Sequence, residues 1–225
     1  MPRRRIAMLM SACALAAPAA ARADDAPTGG TAAPTDPAAL STSMHVLVGK
    51  VAEFRGSLPN DAGRPLTIER LDPETAQWIP IAATTIGADG VYSARWRADV
   101  TGRLTTRATV GPAADAEAGA ALALAAPLET TVTVYRPAVA TWYGPGFYGR
   151  KTACGHRMTR KLLGVAHRKL PCGTQVAITY KGQAITVPVV DRGPFKPGRR
   201  WDLTSAAAAA LGFTYTDRIG AIPVE

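Results

Sequence analysis

Cysteine is scarce in this sequence, three residues among 225, so no framework of disulfides can staple the core and at most one intramolecular bond can form. Acidic residues are also few beside basic ones, 17 against 26, which turns attention toward anionic polymers, cell-wall glycopeptide and nucleic acid among them. No recognised nucleic-acid motif accompanies the lysines and arginines, and nucleic acid is not expected as a partner. Long apolar runs are missing too: the sustained example, from Ile6, is too short and too rich in alanine for a retained membrane helix. What remains is the composition of a soluble globular chain, 47% hydrophobic and 19% charged, with room for one large or two small domains.

Residues 1–23, MPRRRIAMLMSACALAAPAAARA, place three arginines before an apolar run and end in small residues, the layout of a secretory signal peptide cleaved before Asp24. The expected location is therefore the cell envelope or the exterior, with no stable membrane insertion after cleavage. Cys13 follows Met10-Ser11-Ala12, a loose likeness to a lipid-attachment box. Cleavage removes it and leaves Cys154 and Cys172, an even number in an exported protein, which favours a disulfide across a short loop. Residues 24–43 are dominated by Pro, Gly, Thr and Ala without apolar periodicity, and read as a disordered linker.

From Met44 the texture changes to short alternating runs such as HVLVGKVAEF, PLTIERL, VYSARWRA and TVTVYRP, separated by turn clusters like Ala88-Asp89-Gly90. Six or seven strands over residues 44–136 imply an antiparallel β-sandwich of immunoglobulin or fibronectin type. The alanine-rich stretch 114–127 fits a helix, a long loop or a further strand equally well. No catalytic constellation stands out here, and His45, Trp78 and Trp96 read as packing or surface residues.

The positive charge is concentrated beyond this region: residues 137–225 hold 13 Lys and Arg against 4 Asp and Glu, whereas residues 44–136 hold 9 against 10. Strand-like segments are VATWY, GVAH, QVAITY and QAITVPVVD, with Lys181-Gly182 at a hairpin turn between the last two. In DLTSAAAAALG, Thr204 or Ser205 can cap a helix that Gly212 closes, and IGAIPVE can return as a strand. Many short strands and one helix describe a small β-barrel with a lateral helix.

Trp142-Tyr143-Gly144, Thr152-Ala153, Gly164-Val165-Ala166-His167, Leu170-Pro171, Gly173-Thr174, Asp191-Arg192-Gly193-Pro194-Phe195 and Asp202-Leu203 follow one another in an order that resembles the rare lipoprotein A (RlpA) family. The resemblance covers residues 138–214 and implies a six-stranded double-psi β-barrel after the sandwich, a mainly β chain overall. It also implies action on peptidoglycan glycan strands by lytic transglycosylation, leaving 1,6-anhydro-muramic ends, or binding of those strands without cleavage.

For cleavage, one carboxyl group must protonate the glycosidic oxygen and then, ionised, take a proton from the sugar's own C6 hydroxyl; no cofactor or metal is expected. Asp191, backed by the valines of VPVVD, is the first candidate for that acid. Asp202 is the second, and the Ala-His position makes His167 a groove histidine. Trp142, Tyr143, His156, Arg192 and Phe195 are expected to meet substrate, with Arg192 on the strand face opposite Asp191 and also placed to support the loop. One departure stands out: active RlpA proteins commonly carry a Glu and an Asp where this chain has His156 and Thr159. Two other readings use the cysteines as thiolates, a zinc set of Cys154, His156, His167 and Cys172, and a cysteine nucleophile beside His167. Both yield to the disulfide in an oxidising compartment.

Overall fold

The structure, a computed structural model, describes residues 40–42, 45–112 and 128–224. The signal peptide, the Cys13 box and the alanine-rich stretch 114–127 lie outside the described residues. The linker boundary needs correction, because Leu40–Thr42 forms strand β1, antiparallel to β3 (Val51–Ser57) with Leu40 opposite Gly56. Leu40 packs against the neighbouring apolar cluster, and that burial draws these residues out of the linker.

β3 also pairs with β6 (Val91–Arg97), completing a three-stranded sheet. Along β6, Tyr92, Ala94 and Trp96 are buried while Val91, Ser93, Arg95 and Arg97 are exposed, the alternation the sequence shows. A second set of strands comprises β2 (His45–Leu47), β4 (Pro65–Leu71), β5 (Trp78–Thr85), β7 (Gly102–Val110) and the first half of β8 (Leu128–Tyr143). Phe54 and Trp96 from the first sheet and Leu66, Ile68, Leu104 and Val132 from the second share one apolar cluster. Trp78 lies beneath the Arg107 guanidinium at 4.0 Å, and His45 Nδ1 is 2.8 Å from the Tyr135 hydroxyl, so both have structural partners.

β8 is 16 residues long and belongs to both halves of the chain. Its first part pairs with β7 and β2, its second with β12 (Trp201–Thr204) and β13 (Asp217–Val224). The expected division at residues 136 and 137 therefore falls inside a continuous strand. From β8 the pairing passes through β13, β10 (Gln175–Tyr180), β11 (Gln183–Asp191), β9 (Val165–Ala166) and β12, and returns to β8. Six strands thus close a ring without free edges, around Val165, Val176, Ile178, Val189, Trp201 and Leu203.

Local chemistry sets the corners of this ring. Lys181 and Gly182 both have positive φ, 46° and 86°, the backbone of a tight two-residue hairpin between β10 and β11. Helix α1 (Ser205–Ala210) is capped by Thr204, whose side chain accepts from the Ala207 N–H, and Gly212 with φ +63° follows its end. Gly164, just before β9, lets the chain lie against β11: a Cβ there would stand 2.4 Å from Val190 Cγ2. Gly164→Ala is expected to destabilise the fold by about 1–3 kcal/mol in a denaturant titration, the usual cost of overpacking a filled core.

Candidate active site

The run VPVVD turns from barrel wall to site through a β-bulge. Val189 lies opposite Val165, yet Asp191 lies opposite Ala166, so one extra residue is taken up between them. Val189 and Val190 are both buried, and Asp191 emerges beyond them with its carboxyl group re-aimed. On the other side of β9, Asp202 is also the register partner of Ala166. The two aspartates therefore flank one small residue on neighbouring strands, their Cα atoms about 10 Å apart by two strand spacings. Ala166, buried itself, leaves the space between them open.

A cavity of about 300 Å³ occupies that space, lined by Asp191, Asp202, Ala166, Tyr143, Phe195 and Arg199 among others. Asp191 Oδ1 accepts from the backbone N–H groups of Ala153 and Arg192, both at 2.8 Å, and its Oδ2 accepts from the Tyr143 hydroxyl at 3.2 Å. Three donors thus face one carboxyl group and fix its orientation. Asp202 has a different environment, with one bond from Thr141 Oγ1 to its Oδ1 at 2.7 Å. Burial pushes the Asp202 carboxyl above the ordinary aspartate range; the Thr141 bond and the Arg199 charge oppose this, and the charge of Asp191 adds to it. Burial, and then the adjacent Asp191, also hold the Tyr143 hydroxyl proton well above its ordinary range.

The valines foreseen behind Asp191 are buried, but the carboxyl group that burial raises is that of Asp202. Alternation explains which neighbours the site recruits: along VATWY, Thr141 and Tyr143 share one face and reach the two aspartates. Trp142 takes the other face, 38% exposed, with its indole N–H donating to the Thr214 carbonyl at 3.0 Å. Phe195 stands 78% exposed at the lip of the cavity. Arg192 also lines it, but its Nη1 turns to Cys154 Sγ at 3.8 Å and to the carbonyls of His167 and Asp191, not to the Asp191 carboxylate.

His167 does not line this cavity. Its ring lies on Trp201, centroids 4.4 Å apart, and Nδ1 accepts the Leu170 N–H at 3.0 Å, leaving the ring proton on Nε2. Burial first, then Arg200, Arg168 and Arg192, lower its pKa, so it is neutral at physiological pH. His156 and Thr159 are both exposed; the His156 carbonyl accepts from the Thr152 N–H, and the His156 N–H donates to Thr152 Oγ1. Cys154 and Cys172 form a disulfide with Cα atoms 5.6 Å apart, which leaves neither thiolate for a metal set or a nucleophile.

Sequence reasoning gave no role of their own to Ala153 and Ala166, which stand inside the motifs, and passed over Thr141 and Arg168. The last donates from its guanidinium to the carbonyls of Pro194 at 2.6 Å and Arg199 at 2.7 Å, bracing the loop that carries Phe195. Thr141 was accessible from the period of two along VATWY; Ala153 acts through its backbone and Arg168 through a loop distant in sequence, so neither left a local signal.

The closed six-stranded barrel carries two aspartates on the strands that flank Ala166, and residues 137–225 match the family model described as "Lytic transglycolase". This C-terminal part of the chain belongs to the RlpA-like double-psi β-barrel family. It is 42% identical over 97 residues to the Synechocystis protein named "Probable endolytic peptidoglycan transglycosylase RlpA", covering 42% of this chain and 30% of that one. It is 42% identical over 93 residues to the endolytic peptidoglycan transglycosylase RlpA of Rickettsia bellii, 39% of each. To that of Campylobacter jejuni it is 41% identical over 75 residues, 32% of this chain and 27% of its relative. The chain thus spans well under half the length of these curated relatives. Among solved structures, the Streptomyces papain inhibitor SPI is 25% identical over 37% of this chain and 90% of its own, with a TM-score of 0.30, a likeness too low to add to the fold assignment.

Proposed function

We propose that the barrel is an exported lytic transglycosylase domain acting on peptidoglycan glycan strands, with Asp202 as the acid and base and Asp191 as the fixed anion beside it. The observation that carries this reading is the pairing of a carboxyl group raised by burial with a second one held by three donors, in one cavity. Asp202 gives its proton to the glycosidic oxygen, the bond from that oxygen to C1 breaks, and the leaving sugar departs as an alcohol. Positive charge developing at the ring is stabilised by Asp191. The C6 hydroxyl oxygen of the same sugar then bonds to C1 while its proton passes to Asp202, regenerating the starting acid and closing a 1,6-anhydro ring. No carboxylate is needed to activate water.

A binding role without cleavage is the second reading, and the exposed His156 and Thr159, at positions where active relatives of the family carry acids, are what favour it. Digestion of purified, peptide-free glycan strands separates the two. Products with 1,6-anhydro-muramic ends are expected; retention of strands without such products would replace the enzyme reading with the binding one. Phe195→Ala, at a freely exposed position, is expected to raise KM for glycan about three- to tenfold with little change in kcat or in melting temperature, because it removes a flat apolar face and no packing.

Residues 44–136 we read as an immunoglobulin- or fibronectin-like sandwich that carries the barrel. Support for this comes from two sheets contributing to one apolar cluster, and from β8 passing between the two parts.

A further inference from the structure

Beyond the candidate active site, two more cavities follow, joined by shared lining residues. One of about 430 Å³ shares Arg199 with the active-site cavity and has Arg168, Lys169 and Arg200 in its wall. The next, of about 250 Å³, shares His167 and Arg200 with the second and adds Arg136, Leu170, Trp201 and Ile222. Among the described residues, no aspartate or glutamate lines either of them.

Three features of the third cavity bear on the molecule it would take. First, the ion pairs among the described residues engage Arg55, Arg64, Arg70 and Arg107, and leave Arg136 and Arg200 without a carboxylate. Both arise next to the same strand: Arg136 is in β8 opposite Ala221, and the Arg200 N–H bonds to the Val139 carbonyl at 3.0 Å. Second, Trp201 contributes to the wall while 1% exposed, so its indole senses a bound molecule as a packed neighbour without itself reaching it. Third, the remaining wall is hydrocarbon, from Ala138, Leu170 and Ile222 among others.

We propose that this cavity binds a free carboxylate carried on a short aliphatic or peptide chain. Arg136 and Arg200 hold the carboxylate oxygens, and the apolar wall receives the adjoining hydrocarbon. The charge alone would serve inorganic phosphate as well; the hydrocarbon wall and the modest volume favour a carboxylate with an apolar substituent. Because Thr101 and Arg136 line the cavity together with Trp201 and Ile222, the site needs both the N-terminal sheets and the barrel. It does not depend on whether the barrel cleaves glycan.

The test is a calorimetric titration of the full chain at low salt with N-acetyl-alanyl-alanine and with its C-terminal amide. The acid is expected to bind at least about tenfold more tightly than the amide, and Arg136→Gln and Arg200→Gln each to weaken the acid about tenfold. Both arginines are exposed, so neither change is expected to disturb folding. The chain has four tryptophans, so the indole N–H region of a proton–nitrogen spectrum is simple, and Trp201→Phe identifies the resonance that the acid should shift. Equal affinity for acid and amide, no binding of the acid up to about 10 mM, full affinity in both arginine variants, or an unmoved Trp201 resonance would each overturn the proposal. So would tighter binding of inorganic phosphate than of the dipeptide acid, since the hydrocarbon wall would then contribute nothing.

Discussion

Asp202→Asn is expected to cut glycan strands about 10²- to 10⁴-fold more slowly than the parent while melting at the same temperature or higher at neutral pH. The loss follows from removing the proton that the leaving oxygen must receive. The stability follows from linkage. The folded-state pKa of Asp202 is raised, chiefly by burial, so the folded protein holds this proton more tightly than the unfolded chain does. That contribution is fully present below the ordinary aspartate pKa and is lost as pH rises through the raised one. Asparagine carries no charge to desolvate and keeps an oxygen for the Thr141 hydroxyl, which donates to Asp202 Oδ1 at 2.7 Å. The variant's melting advantage should therefore grow as pH rises from acid to neutral and vanish again toward acid pH.

Asp191→Asn separates the two carboxyl groups. Its amide oxygen can still accept from Ala153 and Arg192, and its NH₂ can donate to the Tyr143 oxygen, so the local fold should survive. Cleavage should fall because the negative charge is gone. If Asp202→Asn cut as fast as the parent, the assignment of the acid would be wrong. If instead the stabilisation at neutral pH appeared in Asp191→Asn, the two roles would be reversed.

The barrel was largely readable from local patterns because its strands are bounded by strong punctuation. QVAITY and QAITVPVVD flank Lys181-Gly182, and the structure pairs them residue for residue from Tyr180 opposite Gln183 to Gln175 opposite Pro188. The alanine helix and its Thr204 cap were equally plain, since capping depends on a few adjacent residues. Partnership across the barrel was not readable in the same way. Asp191 and Asp202 were each visible as candidates, yet their relation through Ala166 depends on a bulge at Val190 and on the order of three strands. The surroundings of each depend on neighbours far away in sequence, Thr141 and Arg199 for Asp202, Ala153 and Tyr143 for Asp191. Leu40–Thr42 was hidden for a related reason: a three-residue strand in a Pro- and Thr-rich context gains its order from the sheet it joins.

Removing the disulfide, by Cys154→Ser together with Cys172→Ser, is expected to cost about 3 kcal/mol by the loop-closure relation applied to its separation of 18 residues. For a chain of this size that corresponds to a melting temperature lower by roughly 6–12 °C. The effect should reach the chemistry as well. Ala153, which donates its N–H to Asp191 Oδ1, immediately precedes Cys154, and Arg192 Nη1 lies 3.8 Å from Cys154 Sγ. The cross-link thus pins the donor that orients Asp191 to the segment that leads into β10. Without it the 150–158 turns keep their own bonds, among them Thr152 N–H to the His156 carbonyl at 2.7 Å, but lose their tether to Cys172. Slackening there weakens orientation rather than glycan contact, so kcat should fall while KM stays near the parent value, measured well below the lowered melting temperature. A variant that lost stability but kept the full kcat would show that Ala153 and Arg192 hold their places without the bond, and that the disulfide serves the fold alone.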